Sequence, residues 1–350
     1  MKTTSLCANA TPSKYATSRL MLVIGLLLFA LPATAALPDG VQIYGRAHLS
    51  TDILGDGSDY GLNVSSNSSR FGVRASHQVQ DNLEVFMQLE QNVRFDQRGG
   101  NFATRDSFAG LRGDWGQLRV GSFDTPGKLL RAKADVLNDR LGDLRNMASG
   151  GGMSFDPRFR NSIHYRSPRI YQTTFDIQYS PHNATDATTE NDLEAISIAL
   201  NYSHPRAWLG IAYEMTEGSE YDPTAVRMGA GYNFTPAWQG IVFYQHASDL
   251  RFGQRDVFGG GARYRFGDYA WMGQVYHATA NDLEDSAGTM AAVGFDYYIS
   301  PELTLYAILG GTDNEGQAAF SVSAGGRDTT VIPQPGNTAS GLSLGFIYNF

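Results

Sequence analysis

The sequence predicts an all-β protein, a transmembrane antiparallel β-barrel of about sixteen strands with a long third loop folded into its lumen. Three observations lead there. Apolar and polar side chains alternate with period two over segments of roughly ten residues, the length at which a tilted strand crosses a bilayer. The connections between segments are short and long by turns, as in a barrel with tight periplasmic turns and longer external loops. One stretch, Ser122–Asp156, drops the alternation altogether.

The first strand shows the pattern plainly. Val41, Ile43, Gly45, Ala47 and Leu49 share one face, and Gln42, Tyr44, Arg46, His48 and Ser50 the other. Over 69–79, Phe71, Val73 and Ala75 oppose Arg70, Arg74 and Ser76. A turn at Gln80-Asp81-Asn82 leads into 83–95, where Leu83, Val85, Met87 and Leu89 oppose Glu84, Gln88 and Glu90. Residues 105–115 and 117–123 form a hairpin across Gly116. Beyond Asp156 the rhythm returns near 160–167, 173–180, 193–202, 207–215, 225–234, 239–247, 257–266, 269–277, 288–298, 303–312 and 340–350.

Ser167-Pro168, His204-Pro205, Thr235-Pro236, Gly267-Asp268 and Ser300-Pro301 supply the tight turns. The long, polar connections are 181–192, 216–224, 248–256, 278–287 and 313–339. A soluble β-sandwich also alternates, but with shorter strands. Tyr165, Tyr179, Tyr202, Phe234, Tyr244, Phe266 and Tyr297 crowd the strand ends, where an interfacial aromatic girdle would lie.

The chain opens with a cationic segment (Lys2, Lys14, Arg19), an apolar core Leu20–Leu31 and the small-x-small run Ala33-Thr34-Ala35. That order is expected of a cleaved signal peptide over 1–35, leaving 36–350 as one barrel domain exported to the outer membrane. The apolar run is too short to span, and Cys7, the only cysteine, precedes it, which excludes disulfides and thiol chemistry from the expected mature chain. The full chain carries 27 Lys+Arg against 35 Asp+Glu; without the leader's three cations the net charge is −11. Such an acidic chain excludes nucleic acid as a partner.

The stretch 122–156 carries Pro126, the cations Lys128, Arg131 and Lys133, the spaced acids Asp135, Asp139 and Asp143, and Gly150-Gly151-Gly152. A structureless insert of this length is functional or disordered. Two readings stand: a loop that narrows the lumen, or a mobile surface loop.

The segments VQIYGRAHLS (41–50), SSRFGVRAS (68–76), LEVFMQLE (83–90) and above all RDSFAGLRGDWGQLRVG (105–121) followed by Asp124-Thr125-Pro126, with the ending GFIYNF (345–350), resemble the general porins of Gram-negative outer membranes. The resemblance runs from first strand to last. It implies a sixteen-stranded, usually trimeric, water-filled channel for passive diffusion of small hydrophilic solutes and ions, with neither enzymatic activity nor cofactor. It also implies an inward third loop, here 122–156 with Asp135, Asp139 and Asp143, facing a basic ladder that includes Arg46, Arg70 and Arg105 with Arg158 or Arg160. Phe350 matches the family's terminal aromatic, which the barrel-assembly machinery reads; lipid and lipopolysaccharide are the expected surroundings. Ser122 departs from the family, standing where related porins often carry a basic residue.

Arginine suits such a ladder because its guanidinium stays ionised and presents a rigid fork of donors. The plainer role for these arginines is to pair with Glu84, Glu90 or Asp106 along the wall; for Arg74, Arg112 and Arg119 that role is the expected one. An outer-membrane lipase or protease is the enzymatic alternative, since Ser162 and His164 share a strand face near Asp156. Yet any polar lumen collects Ser, His and Asp, and no nucleophile elbow or zinc motif accompanies them. A substrate-specific channel and a plugged structural barrel complete the alternatives.

Overall fold

The computed structural model describes residues 39–97, 105–184 and 193–350; the expected leader with Cys7 lies outside them. The strand segments before the inner loop are β1 (Val41–Gly55), β2 (Tyr60–Ser66), β3 (Arg70–Gln80), β4 (Leu83–Asn92), β5 (Ser107–Gly113) and β6 (Gly116–Asp124). After it come β7 (Arg158–Arg166), β8 (Thr173–Ser180), β9 (Ala195–His204), β10 (Ala207–Thr216), β11 (Thr224–Asn233) and β12 (Trp238–Leu250). The last five are β13 (Gly253–Phe266), β14 (Tyr269–Ala278), β15 (Gly288–Tyr298), β16 (Leu303–Asn314) and β17 (Ser340–Asn349).

All pair antiparallel in one sheet, which closes where β17 meets β1 from Arg46↔Asn349 to Gly55↔Ser340. Among the described strands, closure leaves no unpaired edge in lipid, the condition a spanning sheet must meet. The 17 segments make a 16-strand barrel. The reason is that β3 pairs with the first part of β1 (41–46) and β2 with the rest (49–55), so β2 and β3 are one wall strand broken at 67–69. Ser68, at φ +53°, sits in that break.

Two expectations about the wall strands need correction. The sequence reading omitted β2, a segment of only 7 residues whose alternation, Tyr60, Leu62 and Val64 against Gly61, Asn63 and Ser65, ends before the break at Ser68. The supposed long loop 248–256 is a hairpin tip: β12 ends at Leu250 and β13 begins at Gly253. Asp249 (φ +55°), a bulge between Ala247 and Leu250, and Gly253 (φ +81°) turn the chain there within a few residues.

Exposure is inverted relative to a soluble protein. On β14, Trp271 and Val275 are each 51% exposed, whereas Gln274 between them is 3% exposed. The apolar face therefore points outward to lipid and the polar face into the barrel. At the short-turn rim, Trp238, Tyr264, Phe266, Tyr269 and Tyr297 stack ring on ring at centroid distances of 4.6–5.7 Å. A continuous aromatic belt of this kind marks a bilayer interface.

The stretch 122–156, expected to be structureless, contains two helices: α1 (Pro126–Lys133) and α2 (Arg145–Ala148). Thr125 caps α1 by accepting the Lys128 N–H at 3.1 Å, and Pro126 opens it with φ preset for helix. The apolar side chains Leu130, Leu137, Leu141, Leu144 and Met147 are buried. Gly210 on the wall permits this approach, since a Cβ there would stand 2.3 Å from Leu130 Cδ1.

Candidate functional site

Hydrogen bonds fix the inner loop against one half of the wall. Thr125 Oγ1 donates to Glu214 at 2.5 Å, the Gly127 N–H to Ser197 at 3.1 Å, and the Val136 N–H to Gln274 at 3.0 Å. Tyr276 donates to the Ala134 carbonyl at 2.7 Å, Arg140 to Asp296 at 2.7 Å, and Gln245 to the Ala148 carbonyl at 2.9 Å. These partners belong to β9, β10, β12, β14 and β15. On the other side the loop meets β6 through Lys128 and Asp124 at 2.8 Å and β1 through Asp139 and Arg46 at 3.2 Å.

Arg131 organises the loop from within. Its guanidinium lies 2.8 Å from Asp156, 3.1 Å from Asp143 and 3.2 Å from Asp135, all at 0–1% side-chain exposure. Asp156 also meets Arg227 at 2.6 Å. Asp143 accepts the N–H groups of Asp139 and Arg145, and Asp135 those of Leu137 and Leu144. Buried charges persist only when paired and hydrogen-bonded in this way. Two of the expected constriction acids, Asp135 and Asp143, are therefore turned into the loop and away from water. Burial, reinforced by the neighbouring Asp143, pushes the Asp135 carboxyl well above the ordinary carboxylate range.

Asp139 is the acid that reaches the wall. Arg46 donates to it at 3.2 Å, Arg145 at 3.1 Å, and Ser68 Oγ at 3.1 Å. Burial alone would raise its pKa, but Arg46 and Arg145 outweigh burial and hold it below the ordinary range. Arg145 also approaches Asp143 (3.6 Å) and Asp156 (4.0 Å), and keeps a fifth of its side-chain surface open (20%).

The wall set is continuous with this one. Arg46 is in register with Arg70. Arg70 and Arg105 share Glu90, at 3.7 and 2.5 Å, and Tyr44 donates to the same carboxylate at 2.9 Å. Arg158 bridges Asp106 (2.6 Å) and Asp124 (3.1 Å), and Lys128 of α1 meets Asp124 at 2.8 Å. Arg160 is exposed, and its backbone N–H donates to the Asn183 side chain at 3.0 Å; Asn161 at φ +48° breaks the strand period beside it. The structure thus gathers Arg46, Arg70, Arg105, Arg158 and Asp139, and it adds Arg145, which the sequence reading did not single out. Its signal was a cation placed directly after the acids 135, 139 and 143.

The residues of the enzymatic alternative are held apart. Ser162 Oγ donates to the Gly121 carbonyl at 2.9 Å, and His164 lies between Asp176 (2.9 Å) and Arg119 (3.1 Å). Asp156 is engaged by Arg131 and Arg227. At the barrel seam, Gly45 and Phe350 exchange backbone hydrogen bonds at 3.0 and 3.1 Å.

A closed barrel with an apolar outer band, an aromatic belt and a charged interior is a transmembrane β-barrel of the outer-membrane type. The chain belongs to the Gram-negative porin family, whose model matches residues 20–317. The major outer membrane protein P.IB of Neisseria gonorrhoeae is 26% identical over 215 residues, covering 57% of this chain and 60% of that protein. The first curated relatives are thus matched over about half to three-fifths of their own length. A chitoporin of Vibrio furnissii is 36% identical over 145 residues, 37% of each chain. Among solved structures, an anion-selective porin from Comamonas acidovorans superposes with a TM-score of 0.75 at 20% identity, covering 89% of this chain and 99% of that one.

Proposed function

We propose that the protein is a passive diffusion channel of the outer membrane whose narrowest section lies between loop 122–156 and the arginines of β1 to β7, and that it favours small hydrophilic anions. The observation that carries this is a difference in exposure. Arg46, Arg70, Arg105, Arg145 and Arg158 keep 13–27% of their side-chain surface open. Asp135, Asp143 and Asp156 keep 0–1%, and Asp139 and Glu90 under a tenth. Among the acids of this set, Asp106 and Asp124 have comparable exposure, about a fifth each, and both are tied to Arg158. A solute crossing here meets more open guanidinium than open carboxylate, and rings of charge at a constriction are a principal lever of selectivity.

The name of the Comamonas structure agrees with that preference. Channel action needs no chemistry, and the separate engagement of Ser162, His164 and Asp156 supports a lumen without a catalytic centre. A homotrimer is the proposed assembly, in keeping with a Vibrio cholerae outer membrane protein of this fold described in a trimer form. Lipopolysaccharide around the barrel and recognition of Phe350 by the assembly machinery belong to the same proposal.

The test is the zero-current potential of the purified protein in a planar bilayer under a salt gradient. An anion-selective sign is expected, moving toward cations when Arg46, Arg70 and Arg105 are replaced by Gln. A cation-selective wild type would overturn the preference.

A further inference from the structure

The chain between β16 and β17, residues 315–339, has neither helix nor strand and reads in sequence as a long external loop. Its middle lies inside the barrel. Phe320 and Val322 are each 1% exposed. The Phe320 ring fills space over Gly288, where a Cβ would stand 2.4 Å from it. Asn314 fixes the entry, its side chain accepting the Phe320 N–H and donating to the Phe320 carbonyl, both at 3.0 Å.

This segment is clasped to the inner loop. Asn146 of α2 donates to the Val322 carbonyl at 3.2 Å and accepts the N–H groups of Ala324 (2.6 Å) and Gly325 (3.0 Å). The Gly142 N–H adds a bond to the Val322 carbonyl at 2.8 Å. Gly326, at φ +67°, then passes so close to Asp139 that a Cβ would stand 2.4 Å from its carboxylate. The segment therefore lies on Asp139 and Arg145, the loop charges that meet the passage. Its centre is pinned to the first wall strands: Arg327 donates to Asp52 and Ser50, and the Asp328 N–H to the Ser66 carbonyl at 3.1 Å.

We infer that residues 315–339 form a second constriction element, latched to α2 through Asn146 and to β1 through Arg327 and Asp52, which sets the size of solute the passage admits. This rests on the reading of 122–156 as the narrowing loop. Asn146 and Arg327 are positioning residues: without strand pairing, a segment this long stays ordered only through such contacts against its conformational entropy. In-folding also gives Ala318, Phe320 and Val322, which alternate along the segment, a common buried side at 1–3% exposure.

The test uses the full-length protein in a Cys7→Ser background with Val322→Cys as a reporter thiol. With the latch closed, a membrane-impermeant maleimide should leave that thiol unlabelled. Adding Asn146→Ala should expose it. In liposome swelling, Asn146→Ala should raise uptake of a neutral trisaccharide relative to a monosaccharide by about twofold or more, because pore width is a main lever of discrimination. The pair Asp52→Asn with Arg327→Gln, which preserves net charge, should do the same, with heat-modifiable migration confirming that each barrel is folded. Rapid labelling of Val322→Cys before the latch is touched would overturn the inference. So would labelling that rises while the sugar ratio stays fixed, or variants that change neither. Neutral sugars do not respond to the charge set, so a failure of anion preference is distinguishable from a failure here.

Discussion

Arg145→Gln tests the charge assignment at the point where loop and wall meet. The substitution removes one open cation, while Asp139 keeps Arg46 and Asp156 keeps Arg131 and Arg227. An anion passing about 4 Å from the guanidinium gains about 1 kcal/mol at the dielectric constant of water. Screening over a Debye length of about 8 Å leaves ~0.6 kcal/mol at physiological salt, a factor of about three in local concentration. The same charge repels a cation by an equal amount, so the anion-to-cation ratio should fall about eightfold. At 1 M salt, with a Debye length of about 3 Å, the change should shrink to two- to threefold. Zero-current potentials at both salts measure this directly. A potential that stays put at low salt would refute the placement of Arg145 on the ion path.

Three further outcomes follow from the loop and the seam. Arg131→Met leaves three buried carboxylates short of their shared partner and should weaken docking of 122–156 by about 3–5 kcal/mol, read as protease nicking of the loop in an intact barrel. Docking should also depend on pH. The raised carboxyl of Asp135 supports the docked loop fully below the ordinary carboxylate range and loses that support as pH rises through its raised value. The lowered carboxyls of Asp139 and Asp156 support it above that range and fail only in strong acid. Nicking should therefore increase as pH rises through the raised Asp135 value, and Asp135→Asn should flatten the trend; a rise confined to acid would contradict the assignment. Deleting Phe350 removes the backbone pair with Gly45 and should lower the yield of folded, heat-modifiable protein.

What could be read from the sequence, and what could not, divides along physical lines. Period-two alternation is local, so nearly every wall strand was legible, as were the proline and glycine turns. β2 is the exception: Ser68 in a left-handed conformation parts it from β3 and leaves it only 7 residues in which to show a period. The helix α1 carries a legible start in Thr125-Pro126, but its 8 residues sit in a stretch with no strand period to frame them. Lumen arginines on regular strands, Arg46 and Arg70, could be placed from alternation alone. The loop charges could not, since the orientations of Asp135 and Asp143 depend on Arg131 reaching back across a fold with no sequence period. The in-folded 315–339 segment was hidden for the same reason: its partners Asn146, Asp52 and Ser66 lie far away along the chain.

Single-channel conductance of the purified, folded protein in a planar bilayer tests the central claim most directly. A water-filled passage between the loop and the arginine wall predicts discrete, stable conductance steps with an anion-selective zero-current potential. Silent bilayers from correctly folded, heat-modifiable protein would contradict it.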